Sequence, residues 1–324
     1  MSPNPDIREQ CAWCLGNIAG DGADLRDYIL SLNALSPLLA NITQAASLSI
    51  LRNCTWTLSN FCRGKPQPDL NSIAPAIPIL SQLIQSEYDQ EAMVDATWAF
   101  SYLSDGDDQR IQAVIDAGLL PSLVKMISSQ NTNVVIPALR TIGNIVSGND
   151  KQTQAVINAN CLIPLSNLLV HSKKSIRKET CWVLSNIAAG TTEQLNCLFS
   201  VPDLLPRVLH QLSIATEWDV RKEAAWVICN IVTSSKRQRL MHLLELGIIQ
   251  PLCDLLNVGE PKIILIALDA IEVLLKATEG GQRGDSTRCT ALIEEAGGTE
   301  QLEKLQEHEN TKVYERAVQI LGTF

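Results

Sequence analysis

Residues 180–190 read Thr-Cys-Trp-Val-Leu-Ser-Asn-Ile-Ala-Ala-Gly, and this phrase recurs along the chain. CAWCLGNIAG ends at Gly20, CTWTLSNFCRG at Gly64, ATWAFSYLSDG at Gly106, ALRTIGNIVSG at Gly148 and AAWVICNIVTS at Ser234. Aligned on one slot, the copies place Trp13, Trp56, Trp98, Arg140, Trp182 and Trp226 at intervals of 43, 42, 42, 42 and 44 residues. A weaker copy, IALDAIEVLL, puts Asp269 in the slot 43 residues later, and YERAVQILGTF closes the chain. A fixed period of this length marks stacked supersecondary units.

Each period contains three helical pieces. Between 109 and 148, QRIQAVIDAG is a short helix closed by Gly118, LLPSLVKMISSQ starts close to Pro121, and TNVVIPALRTIGNIVSG is the longest. Pro near a helix start and Gly just past its end is the usual asymmetry. Comparable second helices begin near Pro37, Pro164, Pro206 and Pro251. No sustained strand alternation and no Asn-Gly hairpin occurs. A single unit cannot bury its apolar faces, but a stack can, so the expectation is an all-α solenoid over 1–324 with one continuous core. Residues 7–20 form a third helix without a first or second before it, which reads as a partial repeat and an excised fragment.

The 324 residues carry 26 Lys and Arg against 35 Asp and Glu, a net charge of −9. That disfavours a general nucleic-acid binder and favours, weakly, a basic partner. Ten Cys lie mostly in apolar helical segments, which reads as free thiols rather than a disulfide framework. The N-terminus has no apolar leader, and the longest apolar stretch, near 263–275, holds Asp269 and Glu272 and is too short for a membrane span.

The slot residue and the residue four positions later share a helix face. The pairs are Trp13 with Asn17, Trp56 with Asn60, Trp98 with Tyr102, Arg140 with Asn144, Trp182 with Asn186 and Trp226 with Asn230; Asp269 and Val273 break the series. Such residues could serve only the core, with Asn tying backbone between repeats. Five Trp in one register, four of them joined to Asn, point instead to a ligand. Helices pack about 8–10 Å apart and an extended chain rises about 3.3 Å per residue, so a repeat spans two or three peptide residues. Asn can pair with a peptide N–H and C=O whatever the side chain. Spaced indoles take the stem of Lys or Arg, at about 0.5–2 kcal/mol per cation–π contact. Asp21, Glu91, Asp95, Asp105, Asp150, Glu179 and Glu223 recur around the ladder and supply the opposite charge. Trp218 falls outside the register, in a loop, and is read as structural or incidental.

CLGNIAGDG, TWTLSNFCRG, SYLSDG, ALRTIGNIVSGND, KETCWVLSNIAAG and KEAAWVICNI, in that order, resemble importin-α (karyopherin-α), the armadillo-repeat adaptor for nuclear localisation signals. The resemblance covers essentially the whole chain. It implies a right-handed superhelix running from the last helix of the third repeat to the tenth. It also implies a major signal site at Trp13, Asn17, Trp56 and Asn60, with Gly20 and Asp21 forming the key lysine pocket and Glu91, Asp95, Trp98 and Tyr102 flanking. Arg63 and Arg140 match basic residues that interrupt the ladder. Asn144, Ser147, Asp150, Glu179, Trp182, Asn186, Glu223, Trp226 and Asn230 match the minor site, with Asp105 beside it. The family's basic importin-β-binding segment has no counterpart before Asp6, and the first two repeats and the acidic tail are also absent. The expected consequences are a weakened major site and a nearly complete minor one. Full-length members bind importin-β and an export receptor, so residues from about 290 onward could contribute to the latter. The implied protein is a monomer shuttling between cytoplasm and nucleus, with no cofactor, no metal, and no direct nucleic-acid or membrane partner.

Other signals carry less. Cys11-Ala12-Trp13-Cys14 matches CxxC but lacks a strand-to-helix setting. The four His, at 171, 210, 242 and 308, have no ligand spacing. No phosphate-loop or nucleophile-elbow motif occurs, so no catalytic residue is expected. Glu279 to Asp285 reads as a polar loop, and Lys236-Arg237-Gln238-Arg239 as a solvated basic face. The competing reading is an armadillo scaffold holding another partner through its later repeats or outer surface. A groove for acidic tails would carry Lys or Arg on the third-helix face, where Trp and Asn stand here.

Overall fold

A computed structural model describes residues 2–213, 216–279 and 285–322. Among these residues the regular structure is all helical, with no strand and no helix long and apolar enough to cross a membrane. The polar loop expected at 279–285 falls largely outside the described residues.

The chain divides into two compact units, Met1–Pro164 and Leu165–Phe324. In the first, the Pro5–Asp21 helix precedes three triplets. They are Ala23–Ser31, Leu35–Thr43 and Leu48–Cys62; then Leu70–Ile73 with a 3-10 turn, Ile77–Ser86 and Gln90–Ser104; then Asp108–Asp116, Leu120–Ile127 and Thr132–Val146. The long helices pack in series, each against the next. In the second unit, Lys174–Ala188 packs on Trp218–Ser234, which packs on Pro261–Glu279, which packs on Thr311–Leu321. Shorter helices fill the intervals, among them Thr192–Ser200, Leu204–Leu212, Arg237–Glu245 and Ile249–Asp254.

Local chemistry sets these boundaries. Ser47, Asp89, Asn131 and Asn310 cap the long helices that follow them by accepting from free backbone N–H groups. Asn149 with Gln152 and Thr191 with Gln194 close reciprocal capping boxes. Gly118 takes φ +73°, the left-handed geometry that ends the Asp108–Asp116 helix cheaply.

The same phrase that sets the ladder also sets the core. Two and five residues after the slot, on the opposite stripe, stand Leu58 and Phe61, Phe100 and Leu103, Ile142 and Ile145, Leu184 and Ile187, and Ile228 and Ile231, all buried. Each such burial stabilises by about 1.5–3 kcal/mol. Seven of the ten Cys are buried, and desolvation pushes the Cys54 thiol up to about 11 and those of Cys62 and Cys181 up to about 12. These thiols stay protonated and pack as small apolar groups. Cys11 and Cys14 are exposed on a helix.

One buried cation braces the first unit. Arg26 has no solvent exposure; its Nη1 donates to the carbonyls of Arg63 (2.6 Å) and Gly64 (3.2 Å), and Nη2 to that of Pro66 (2.6 Å). Asp27 pairs with the same guanidinium at 2.8 Å. The segment so held leads out of the Leu48–Cys62 helix and carries Arg63. Arg26→Met should destabilise the protein by about 2–4 kcal/mol, because three carbonyls lose a charged donor. A fall in the urea-unfolding midpoint checks this, and an unchanged midpoint would assign the segment's order to other contacts.

Candidate functional site

The ladder exists in each unit. In Met1–Pro164, Trp13 is 52% exposed, while Trp56 and Trp98 are half-buried. In Leu165–Phe324, Trp182 and Trp226 are half-buried. Each of these indoles is partly solvent-accessible, and the helices of Trp56, Trp98, Trp182 and Trp226 bury their opposite stripe.

Three of the carboxamides four residues on are anchored across the stack, whereas the buried Nδ2 of Asn186 has no hydrogen-bond partner among the described residues. Asn60 donates Nδ2–H to the carbonyl of Gly16 at 3.1 Å, Asn144 to that of Ser101 at 2.8 Å, and Asn230 to that of Ser185 at 3.0 Å. In every case the acceptor lies three residues after the preceding slot. Asn144 also reaches Ser104 Oγ at 3.2 Å. Asn17, in the first helix, donates instead to the carbonyl of Trp13 in its own helix. The structural role of Asn is thus present in three repeats. One N–H fixes the amide plane, and Oδ1 of Asn60, Asn144 and Asn230 keeps its accepting capacity.

The acceptor positions carry Gly16, Ser59, Ser101, Gly143, Ser185 and Cys229, all small, and none was singled out in the sequence reading. Their size has a reason. A Cβ on Gly16 would stand 2.5 Å from the Trp56 ring and 2.6 Å from Thr57 Oγ1. Where Ser occupies the position, its hydroxyl folds back onto the slot carbonyl, Ser101 on Trp98 and Ser185 on Trp182. The signal that could have found them is the small residue immediately before each ladder Asn. Gly20 has a related role, because a Cβ there would meet Asn60 Nδ2 at 3.4 Å.

The flanking charges divide into two kinds. Some are met by the chain's own cations: Glu91 pairs with Arg52 Nη1 at 2.9 Å and Asp105 with Lys65 at 3.1 Å. Arg52 also grips the buried helix cap Asp89 at 2.7 Å. Others are left in a desolvated setting. Burial, with the nearby charge of Glu91, pushes Asp95 up to about 6. Burial also raises Glu223, against the pull of Lys178 and Lys222 and with the push of Glu179. A carboxylate raised in this way gains most from an arriving cation. Asp21 ends the Pro5–Asp21 helix and is exposed. Asp150 opens the Asp150–Asn158 helix, and Ser147 ends the Thr132–Val146 helix with its hydroxyl on Asn144 O at 2.6 Å.

Trp98 and Tyr102 stack with centroids 6.0 Å apart. Burial raises the Tyr102 hydroxyl, and the nearby charge of Arg63 offsets part of that rise. Arg140 is exposed in its slot. Of the minor-site set, Asp105, Arg140, Asn144, Ser147 and Asp150 belong to the first unit. Glu179, Trp182, Asn186, Glu223, Trp226 and Asn230 belong to the second. Trp218 corrects the sequence reading: it is the first residue of the Trp218–Ser234 helix, not a loop residue, and its Nε1–H donates to Glu260 at 2.8 Å. Glu260 and the Arg221 guanidinium 5.9 Å from the ring hold the indole there. No group of His, Cys, Asp and Glu among the described residues could hold a metal.

Comparison with known proteins places this architecture. The profile of the Armadillo/beta-catenin-like repeat matches residues 22–63, 107–147 and 149–189, and that of the Atypical Arm repeat matches 288–324. A designed armadillo repeat protein solved in complex with the peptide (KR)4 is 33% identical, with a TM-score of 0.66 over 76% of this chain and 99% of its own. The chain belongs to the armadillo-repeat family. An engineered protein at 22% identity shares the fold over the whole chain, with a TM-score of 0.80 and 86% of its own length covered. Among armadillo proteins, its relatives are importin alpha subunits. Importin subunit alpha-1b of Oryza sativa subsp. japonica is 46% identical over 326 residues, and importin subunit alpha-2 of Arabidopsis thaliana is 47% identical over 327. Both alignments take in 100% of this chain, which spans 61% of each relative's length.

The Gly16 seat is testable. Gly16→Ala should displace the Trp56 indole and cost about 1–3 kcal/mol of stability through overpacking. The indole N–H resonance of Trp56 should move more than those of the other five Trp; a spectrum matching the parent would show that the seat tolerates a methyl group.

Proposed function

We propose that this armadillo chain is the cargo-recognising part of a nuclear import adaptor, which holds Lys/Arg-rich localisation signals as extended peptides. The observation that carries this is the pairing of a half-open indole with a carboxamide clamped through its Nδ2, at Trp56 with Asn60 and at Trp226 with Asn230, beside the half-buried carboxylates Asp95 and Glu223. A peptide backbone N–H donates to the free Asn Oδ1. The methylene stem of Lys or Arg lies along an indole, and its charged head reaches the carboxylate. The likeness to importin alpha subunits along the whole chain supports the reading. So does the designed armadillo protein seen with an alternating Lys-Arg peptide.

Within this proposal, Trp13, Asn17, Trp56 and Asn60 form one binding stretch, with Asp21 at its lysine pocket and Asp95, Trp98 and Tyr102 flanking. Trp182, Asn186, Trp226 and Asn230, with Glu179 and Glu223, form another. A bipartite signal gains from both, because its linker raises the local concentration of the second cluster. Importin-β and an export receptor are partners proposed for the complete protein, together with shuttling between cytoplasm and nucleus.

A labelled bipartite Lys/Arg-rich peptide should bind in a fluorescence-anisotropy titration, weaken with salt, and outcompete an acidic control. An equal response to both peptides sinks the reading. Asp21→Lys should weaken a single-cluster basic peptide by about tenfold or more, since repulsion replaces attraction. Unchanged affinity would remove Asp21 from the site.

The pH dependence has a definite sign. An approaching cation favours the charged form of Asp95, whose pKa stands at about 6 without ligand. Affinity should therefore be full above pH 7 and fall as the pH drops through 6, while peptide Lys and Arg stay charged. Asp95→Asn should flatten that fall; an equally steep profile in the variant would assign the titration elsewhere.

A further inference from the structure

Past Trp226, the ladder meets cations of its own chain. Lys262, from the next long helix, holds its ammonium 5.1 Å from the centroid of the Trp226 ring. Its place is seven residues before the slot. There the other repeats carry Asp6, Ser49, Glu91, Asn133, Ser175 and Asp219, none of them basic. One repeat on, Asp269 stands where Trp is expected, and Arg316 of the Thr311–Leu321 helix pairs with it at 2.7 Å. The same guanidinium reaches Glu272, a carboxylate only 4% exposed, at 2.5 Å, and Lys276 holds the other oxygen of that carboxylate at 2.7 Å. The indole and the acids that a peptide cation would use beyond this point are therefore already engaged.

We propose that the chain terminates its cation ladder internally. Lys262 acts as a built-in ligand of Trp226, and Arg316 neutralises the acids of the following repeat, so a bound basic peptide cannot place Lys or Arg past the Trp182–Trp226 interval. The end of the ladder thereby sets the register of the peptide. This rests on the peptide-binding function proposed above.

Lys262→Gln frees one face of the Trp226 indole and should tighten a basic peptide that prefers the later ladder by about two- to fivefold, the range of an exposed cation–π contact. Loss of a positive charge alone would give a similar gain, so the same change is made in a Trp226→Ala background. There the gain should vanish. A gain that persists without the indole overturns the proposal, as does no gain in the parent. A second readout needs no peptide: in the free protein, Lys262→Gln should shift the indole N–H resonance of Trp226, assigned through Trp226→Phe, and leave the other five in place. An unmoved Trp226 resonance overturns the stacking. Failure of the parent to bind any basic peptide would instead remove the peptide-binding function, with the resonance deciding whether Lys262 occupies the indole.

Discussion

The hydrogen bond that Asn60, Asn144 and Asn230 each make to a carbonyl of the preceding long helix is the constraint on which the rest of this structure depends. Asn60 to Gly16, Asn144 to Ser101 and Asn230 to Ser185 are one interaction made three times. It joins neighbouring repeats beside the slot residues, with Asn60 and Asn144 themselves buried. It also aims each carboxamide. A surface Asn free to rotate would pay side-chain entropy on meeting a peptide, whereas a clamped one has already lost it.

Two requirements follow from that bond and shape the residues around it. The acceptor carbonyl must be approachable, and Gly, Ser or Cys fills that position in the six copies whose slots run from Trp13 to Trp226. The indole of the next repeat must lie flat over the same spot, and at Gly16 this leaves no room for even a methyl group. Under the proposed function, recognition and stacking share atoms. The repeat cannot be optimised for one without keeping the other, which accounts for a ladder face far more regular than the shorter helices behind it.

Charge is distributed with the same economy. The chain is acidic overall, yet much of the acid near the ladder is met by internal cations, as Arg52 meets Glu91 and Lys65 meets Asp105. Asp95 and Glu223 differ because burial holds their carboxyls above the usual range. The contrast near the ladder lies between carboxylates already paired and carboxylates held in a partly desolvated setting.

The period, the three helices of each repeat and the slot register were legible in the sequence, because each is a one-dimensional pattern of residue types at helical spacing. The Trp and Asn of the candidate site were legible for the same reason. Trp218 was misread because its setting depends on Glu260, 42 residues away, and no local pattern encodes that partner. The role of Gly16 and its counterparts was hidden too, since a small residue beside an Asn has no meaning until the next helix is laid against it. Only tertiary structure decided which carboxylates are paired, which are desolvated, and which indole already carries a cation. Ionic and cation–π contacts depend on distances across repeats, whereas sequence alone reports which residues each repeat brings to the encounter.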